Sequence, residues 1–404
     1  MRLLQIEDPQ KLYEVMQQIK VDGYGIKIML PKAINRLIRI NSISCITANI
    51  LKQEMLSLGG DVALARDALT GKTPKTDCLL IGSLSQFNRL TQKLNKQPFG
   101  LNELSRDIST TLDNYQKDKF LLKIGGHKLR LGKRTFIMGI INLTPDSFSQ
   151  DGWYRNNSNN DKLSIENIVR FAQGLIKQGA DIIDVGGESS RPHAAPVKLK
   201  EELRRTIPII RRLSRTIKAP ISIDTYKPEV ARQALDNGAS IVNDITALRN
   251  HAMAKIASRY EAGVILMHMK GAPSTMQRKP VYGSILDEII GYLDKAVERA
   301  ESFGINKDKI IIDPGIGFGK TEADNLKIIN NLKEFKVLGC PILVGTSRKS
   351  FIGRILNRAL QERIFGTVAS CVLAAKNGAN ILRVHDVSEV AQALRIADAV
   401  NKLC

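Results

Sequence analysis

An α/β architecture, a (β/α)8 TIM barrel preceded by a small α+β domain, is what the amino-acid sequence predicts. Three observations predict it. Eight short runs rich in Ile, Val and Leu recur from about residue 120 onward, each ending in polar or ionisable residues. Longer segments with apolar residues at helical spacing separate these runs, and several of them close on Gly, the usual helix C-cap. Eight such strand–helix units over about 270 residues match the size of one barrel.

The runs are "TFIMGIIN", "ADIIDVGGE", "PISIDT", "SIVNDI", "GVILMHM", "KIIIDPG", "PILVGTS" and "NILRVHD". They show little polar alternation, as expected of parallel strands covered on both faces. The segments between them include "NIVRFAQGLIKQGA", "KPEVARQALDNGA" and "LDEIIGYLDKAVERAESFG", which read as helices. A doubly wound open sheet would carry a Gly-rich nucleotide turn after its first strand, and "INLTPDSF" is not one. Ahead of the barrel, "KFLLKIGGHKLRLGKR" (119–134) reads as a β-hairpin around Gly125-Gly126, placed to plug the barrel's N-terminal end. Residues 1–117 read as a separate α+β domain, with 118–404 forming hairpin and barrel. In that first domain "GIKIMLPK" and "KTDCLLIGS" look like strands. "SISCITANILKQEMLSLGG", "LSQFNRLTQKLNKQ" and "GLNELSRDISTTLDNYQKD" look like helices, and no metal cluster, phosphate loop or nucleophile motif is visible.

Composition narrows the function classes. Apolar (43%) and charged (25%) shares are those of a globular chain, and the apolar runs are far too short to span a bilayer. "MRLLQIEDPQ" lacks the pattern of a secretory signal. The five cysteines are scattered with no C-x-x-C pair, which argues against a zinc site or disulfide framework and predicts a reducing, cytoplasmic setting. A net charge of +20 raises the possibility of nucleic-acid binding, yet the cations are dispersed and aromatics are few. The densest basic stretch, "RRTIPIIRRLSRTIK" (204–218), has apolar residues at helical spacing and reads as the solvated face of an amphipathic helix. We therefore expect neither nucleic acid nor membrane as partner, only some attraction for small anions.

In such barrels the C-terminal ends of the strands face the active-site mouth. Those positions read Asn142, Asp184 with Glu188, Asp224, Asn243, His268, Asp313, Ser347 with Lys349, and Arg383 with His385. Any one of them could be a turn or cap residue. All together on one rim, they point to chemistry. Asp224, Asn243, Asp313 and Lys349 suit a flat heterocycle whose edge offers N–H donors, such as a pterin or guanine-like ring. Opposed to them, Arg191, Arg383 and His385 suit phosphate, and Asn142 with a nearby carboxylate suits Mg2+ through hard oxygen ligands. No His cluster suits zinc. The composite is a pocket for a heterocycle linked to a phosphate or pyrophosphate leaving group.

The stretches "MGIINLTPDSFSQDG", "DIIDVGGESSRP", "ISIDTYKPEVARQAL", "IVNDI", "ILMHMKGAPSTMQ", "IIIDPGIGFGKT", "VGTSRKSFIGRIL" and "LRVHDV" occur in one order across residues 120–404. In them the chain resembles the dihydropteroate synthase family, pterin-binding (β/α)8 barrels. The resemblance implies joining of hydroxymethyl-dihydropterin pyrophosphate to the amine of p-aminobenzoate, with release of pyrophosphate, by dissociative C–O cleavage in folate synthesis. It implies that Asp224, Asn243, Met267, Asp313 and Lys349 hold the pterin. Asn142, Arg191, Arg383 and His385 would hold the pyrophosphate, with Asn142 also on Mg2+. Ser190, Arg191, Pro192, Phe318, Lys349 and Ser350 would border the p-aminobenzoate slot. Asp224, Lys349, Arg191 and Asn142 would carry catalysis, the loops after the first two strands would act as lids, and the protein would form a homodimer.

Three departures stand out. Gln150 displaces Asp151 from the family's acidic lid position, leaving Asp146 as a turn residue; Ser190 and His193 alter the second lid; and residues 1–117 lie outside the family's core pattern. A corrinoid-linked pterin methyltransferase shares the barrel and the pterin edge but needs no pyrophosphate site. The same reaction with a different arylamine acceptor is a second alternative, and a degenerate barrel serving as a scaffold is a third.

Overall fold

The computed structural model describes residues 1–6, 8–70, 72–98, 100–144, 161–188, 196–271, 276 and 280–403. They form two compact units, Met1–Asp113 and Asn114–Leu403.

The first unit is a three-stranded antiparallel sheet of β1 (Asn35–Ser44), β2 (Asp61–Leu64) and β3 (Lys75–Ser83) in the order β1-β3-β2. Leu51, Met55, Leu80, Phe87, Leu90 and Leu94 are fully buried in a core shared with the helices Cys45–Ser57, Leu84–Leu94 and Leu101–Gln116. One expectation fails here. Residues 25–32, read as a strand, lie within the helix Gly23–Ala33. Its start is set by the Asp22 carboxylate, which accepts from the N–H groups of Tyr24 (2.8 Å) and Gly25 (3.1 Å). The strand comes directly afterwards in "NRLIRINSIS", whose Ile38 and Ile40 pack against the core while Leu37 and Arg39 face solvent.

The second unit opens with the hairpin β4 (Phe120–Ile124) and β5 (His127–Leu131). Eight parallel strands follow: β6 (Phe136–Asn142), β7 (Ile182–Gly186), β8 (Ile221–Asp224), β9 (Ile241–Asp244), β10 (Gly263–Met267), β11 (Ile310–Asp313), β12 (Leu343–Val344) and β13 (Ile381–Val384). Their order is β11-β10-β9-β8-β7-β6-β13-β12, and a bridge between Ile312 and Ile342 joins the two ends into a barrel.

Alternate residues on each strand divide the interior from the helical coat. Outward residues such as Ile183, Val185, Ile223, Val242, Val264 and Leu266 pack with helix residues in one large core. Inward residues stack in layers. At the bottom Met138, Ile182, Ile241, Ile265, Ile311, Leu343 and Ile381 meet Leu122, Ile124 and Leu131 of the hairpin, so an apolar plug closes that end. One step up, the inward residues turn polar on β7, β9, β11 and β13, at Asp184, Asn243, Asp313 and Arg383. Most of the densest basic stretch lies on the helix Leu199–Ser214, which buries Thr206, Ile207, Ile209, Ile210 and Leu213 and exposes Arg204, Arg211 and Arg212, while the largely covered Arg205 donates to Gly187 O (3.0 Å).

Candidate active site at the C-terminal rim

Strand register sets the site. Asn142, Gly186, Asp224 and Asn243 stand in one row across β6 to β9. Gly186 keeps that row open: a Cβ there would lie 3.4 Å from Asn142 Oδ1 and 3.6 Å from Asp224 Oδ2. Asp224, Asn243 and Asp313 line a cavity of about 360 Å³ together with Lys349, Arg383 and His385. Met267, Phe318, Ile245 and Met276 form an apolar cluster on its wall. Acceptors on one edge and apolar faces beside them fit a flat polar ring.

Arg383 spans two carboxylates. Its Nε donates to Asp184 Oδ2 (2.6 Å) and its Nη2 to Asp224 Oδ2 (2.7 Å). Burial pushes the Asp224 carboxyl up to about 7, with Asp184 and Glu202 adding to the rise and Arg383 and Lys349 opposing it. Burial likewise raises Asp313 to about 6, against the Gly315 N–H that it accepts at 2.7 Å and the nearby Lys349, Lys320 and Arg383. Gly315 makes that turn at φ +71°, and a Cβ there would meet His268 O at 1.9 Å, so only glycine fits.

Lys349 follows β12 in a turn where Arg348 takes a left-handed φ of +58°. The Arg348 N–H donates to Thr367 Oγ1 (3.0 Å) and its guanidinium to Asp386, which fixes this strained residue. Lys349 Nζ thereby lies 4.3 Å from the centre of the Phe318 ring. His385, just past β13, has Nδ1 3.1 Å from Ser347 Oγ and Nε2 3.4 Å from Asn142 Nδ2. With the amide nitrogen turned to His385, Asn142 Oδ1 faces the other way.

Of the residues picked from the sequence, Asn142, Asp224, Asn243, Met267, Asp313, Phe318, Lys349, Ser350, Arg383 and His385 all line this one cavity. Ser190, Arg191 and Pro192, with His193, Asp146, Gln150 and Asp151, lie outside the described residues.

Two rim residues face elsewhere. His268 is turned away from the cavity: Met267 before it points inward, so the imidazole points outward. It stacks edge-on against Tyr292 at 4.9 Å, with Nδ1 2.9 Å from Lys320 Nζ. Burial and the Lys320 charge drive its pKa far down, while burial lowers Lys320 to about 7. Glu188 instead joins Lys227, which also donates to Glu202 Oε2 (2.5 Å) and Val197 O (2.8 Å). Reading the sequence missed Arg363, which lines the cavity edge and donates to Arg348 O (3.1 Å). It follows no strand, so nothing in the local pattern marks it. Among the described residues no three His, Cys, Asp or Glu side chains gather where they could hold a metal ion.

Residues 138–385 match the family described as pterin binding enzyme. The chain is 46% identical over 281 residues to a dihydropteroate synthase from Synechocystis, covering 69% of this chain and 94% of that protein. It is 37% identical over 389 residues to a probable bifunctional folylpolyglutamate synthase/dihydropteroate synthase from Halobacterium salinarum, covering 96% of this chain but only 46% of that longer protein. The Yersinia pestis dihydropteroate synthase, solved with a sulfonamide drug, superposes with a TM-score of 0.66 at 39% identity, over 70% of this chain and all of that one.

Proposed function

The chain belongs to the pterin-binding enzyme family as a dihydropteroate synthase, a transferase of folate biosynthesis, and we propose that the rim cavity is where its two substrates meet. The observation that carries this reading is the convergence of Asp224, Asn243, Asp313 and Lys349 beside Met267 and Phe318 in one cavity.

Asp224 and Asp313 accept the N–H donors of the pterin edge, Asn243 matches one donor and one acceptor, and Met267 covers a face of the ring. Arg383, His385 and Asn142 take the pyrophosphate, a role the family resemblance assigns to Arg191 as well. Phe318, Lys349 and Ser350 border the p-aminobenzoate slot, to which the family resemblance also assigns Ser190, Arg191 and Pro192.

Asn142 is the residue that would hold Mg2+. Its Oδ1 faces away from His385, and one protein oxygen completed by water and substrate phosphate is a common Mg2+ arrangement. Bound there, the ion would neutralise charge on the leaving pyrophosphate.

Catalysis follows from where charge develops. As the C–O bond breaks, negative charge grows on the pyrophosphate, where Arg383 and His385 are already in place. Positive charge left on the pterin falls beside the Asp224 carboxylate. The arylamine nitrogen then bonds to the exposed carbon and gives up one N–H proton to the departed pyrophosphate, with Lys349 and Phe318 setting its approach. Excluding water from the cavity keeps that cation for the amine.

The test is product formation from the pterin pyrophosphate, Mg2+ and labelled p-aminobenzoate. Wild-type protein should release labelled dihydropteroate and pyrophosphate in equal amounts, whereas Asp224→Asn and Lys349→Ala should each lose most turnover. Near-normal product from both variants would reject these roles.

The same reading places the protein in the cytoplasm, in keeping with Cys45, Cys78, Cys340 and Cys371 as free, buried thiols; no described helix is long and apolar enough to cross a membrane. It also makes the protein a homodimer. The helix Ile364–Lys376 exposes Phe365 (84%) and Leu373 (53%), and the following helix Val387–Leu403 exposes Ile396 (70%), an apolar surface that a second copy would cover. Light scattering should give twice the chain mass, and Phe365→Asp should shift it to the monomer; a wild-type monomer at micromolar concentration would reject the dimer.

A further inference from the structure

Asp184 is absent from the substrate contacts above, yet it is the most deeply placed charge of the site, with no exposed surface. Its Oδ2 accepts from Arg383 Nε (2.6 Å) and from Asn243 Nδ2 (3.3 Å). One carboxylate therefore touches both the cation assigned to the pyrophosphate and the amide assigned to the pterin. Its other oxygen, Oδ1, is buried without a hydrogen-bond partner, and so is Oγ of Ser222, its register neighbour on β8. A buried carboxylate oxygen with spare acceptor capacity is an unusual feature, and here it lies beside a guanidinium whose Nη2 is lent to Asp224.

We infer that Asp184 is a positioning residue that couples the two halves of the substrate site, holding Arg383 whenever the pterin ring takes Asp224. The inference rests on the pterin and pyrophosphate assignments made above. In the arrangement seen, Asp224 Oδ2 is engaged by Arg383. A heterocycle that donates its N–H groups to Asp224 competes for that carboxylate and loosens Nη2. The Arg383 side chain is only 19% exposed, so leaving it without a counter-charge is costly. Asp184 Oδ1 supplies the missing acceptor, so the guanidinium can rest fork-to-fork on Asp184 alone. Its remaining donors are then available to phosphate oxygens. Each half of the substrate favours the Arg383 arrangement that the other half uses, which is positive coupling between the subsites. Asp184 also holds the Asn243 amide nitrogen, so the Asn243 oxygen keeps its orientation through the change.

Calorimetry on the full chain with two half-ligands tests this: 6-hydroxymethyl-7,8-dihydropterin, and inorganic pyrophosphate with Mg2+, each alone and then together. Wild-type protein should bind pyrophosphate at least fivefold more tightly when the pterin is present. In Asp184→Asn each half-ligand should still bind, but the factor should fall to below twofold. Should Asp184→Asn not fold, Arg383→Lys carries the test, because an ammonium has no planar fork to set against both oxygens of one carboxylate; it too should lose the coupling. Equal weakening of both half-ligands with the coupling factor intact in either variant would overturn the proposal and leave Asp184 a structural ion-pair partner. A wild-type protein that binds both half-ligands without coupling would overturn it as well. Binding of neither half-ligand would instead overturn the site assignment itself.

Discussion

In the proposed site, Asp224 is the residue where stability and function are expected to pull apart. Its carboxyl ionises near 4 in an unfolded chain but at about 7 in the folded protein. Between those values the folded state holds a proton that the unfolded state has lost. The group therefore favours folding on the acid side, and that contribution is lost as pH rises through about 7. Asp224→Asn removes a carboxylate that is unfavourable to keep charged at pH 8, and Arg383 keeps Asp184 as its partner. The variant should melt no lower than wild type at pH 8, while turnover falls by about 10²–10³-fold; a parallel collapse of melting temperature and activity would contradict this account. The pterin half-ligand should also bind wild type more weakly as pH falls from 8 to 6, because protonated Asp224, and then Asp313 at about 6, no longer accept its donors. Titration calorimetry at several pH values reads that trend directly. The same residues show what was legible beforehand. Asn142, Asp224, Asn243, Asp313 and Arg383 could be picked from the ends of Ile/Val/Leu runs because strand alternation carries them inward. His268 ends such a run too, but it follows inward-facing Met267, so counting alternation along "GVILMHM" is the signal that would have removed it.

At the scale of elements, the barrel strands were legible because eight apolar runs repeat with little alternation, and all eight form. Failure came where local propensity was ambiguous. "GIKIMLPK" is short and apolar enough for either state, and the Asp22 cap decided for helix. The charge network of Glu188, Glu202 and Lys227 was out of reach for another reason: its members come from three separate segments, and only packing brings them together. The hairpin is the element whose contribution can be measured cleanly. Leu122 and Ile124 are buried against the bottom layer of the barrel, and Ile124 packs so closely on Gly263 that a Cβ there would lie 2.7 Å from Ile124 Cδ1. Ile124→Ala would leave a cavity beneath the strands and should cost about 2–4 kcal/mol. Denaturant unfolding should show that loss. The KM values for both substrates should stay unchanged, since the bottom layer lies at the opposite strand ends from the cavity; a marked rise in KM would show that the plug shapes the site.

For the whole molecule, the question is what the first unit contributes to catalysis. Each unit has its own apolar core: one built around Leu51, Met55, Leu80 and Phe87, the other around the barrel strands and their helices. Every described residue that lines the cavity lies within Asn114–Leu403. The Synechocystis relative is matched over 94% of its length by only 69% of this chain, so a barrel of this kind is a whole protein there. The Halobacterium relative is matched by 96% of this chain, so a counterpart of the first unit occurs there together with the barrel. On the proposed site, substrate turnover is expected of the second unit and a role outside the chemical step of the first. Deleting residues 1–117 keeps the whole hairpin and barrel. The truncated protein should fold, melt cooperatively and form dihydropteroate with kcat/KM within about threefold of the full chain, a difference in barrier of less than about 0.7 kcal/mol. A soluble, folded truncation with a tenfold or larger loss would show that the first unit takes part in the reaction, and comparing kcat with KM would tell whether it acts on turnover or on substrate capture.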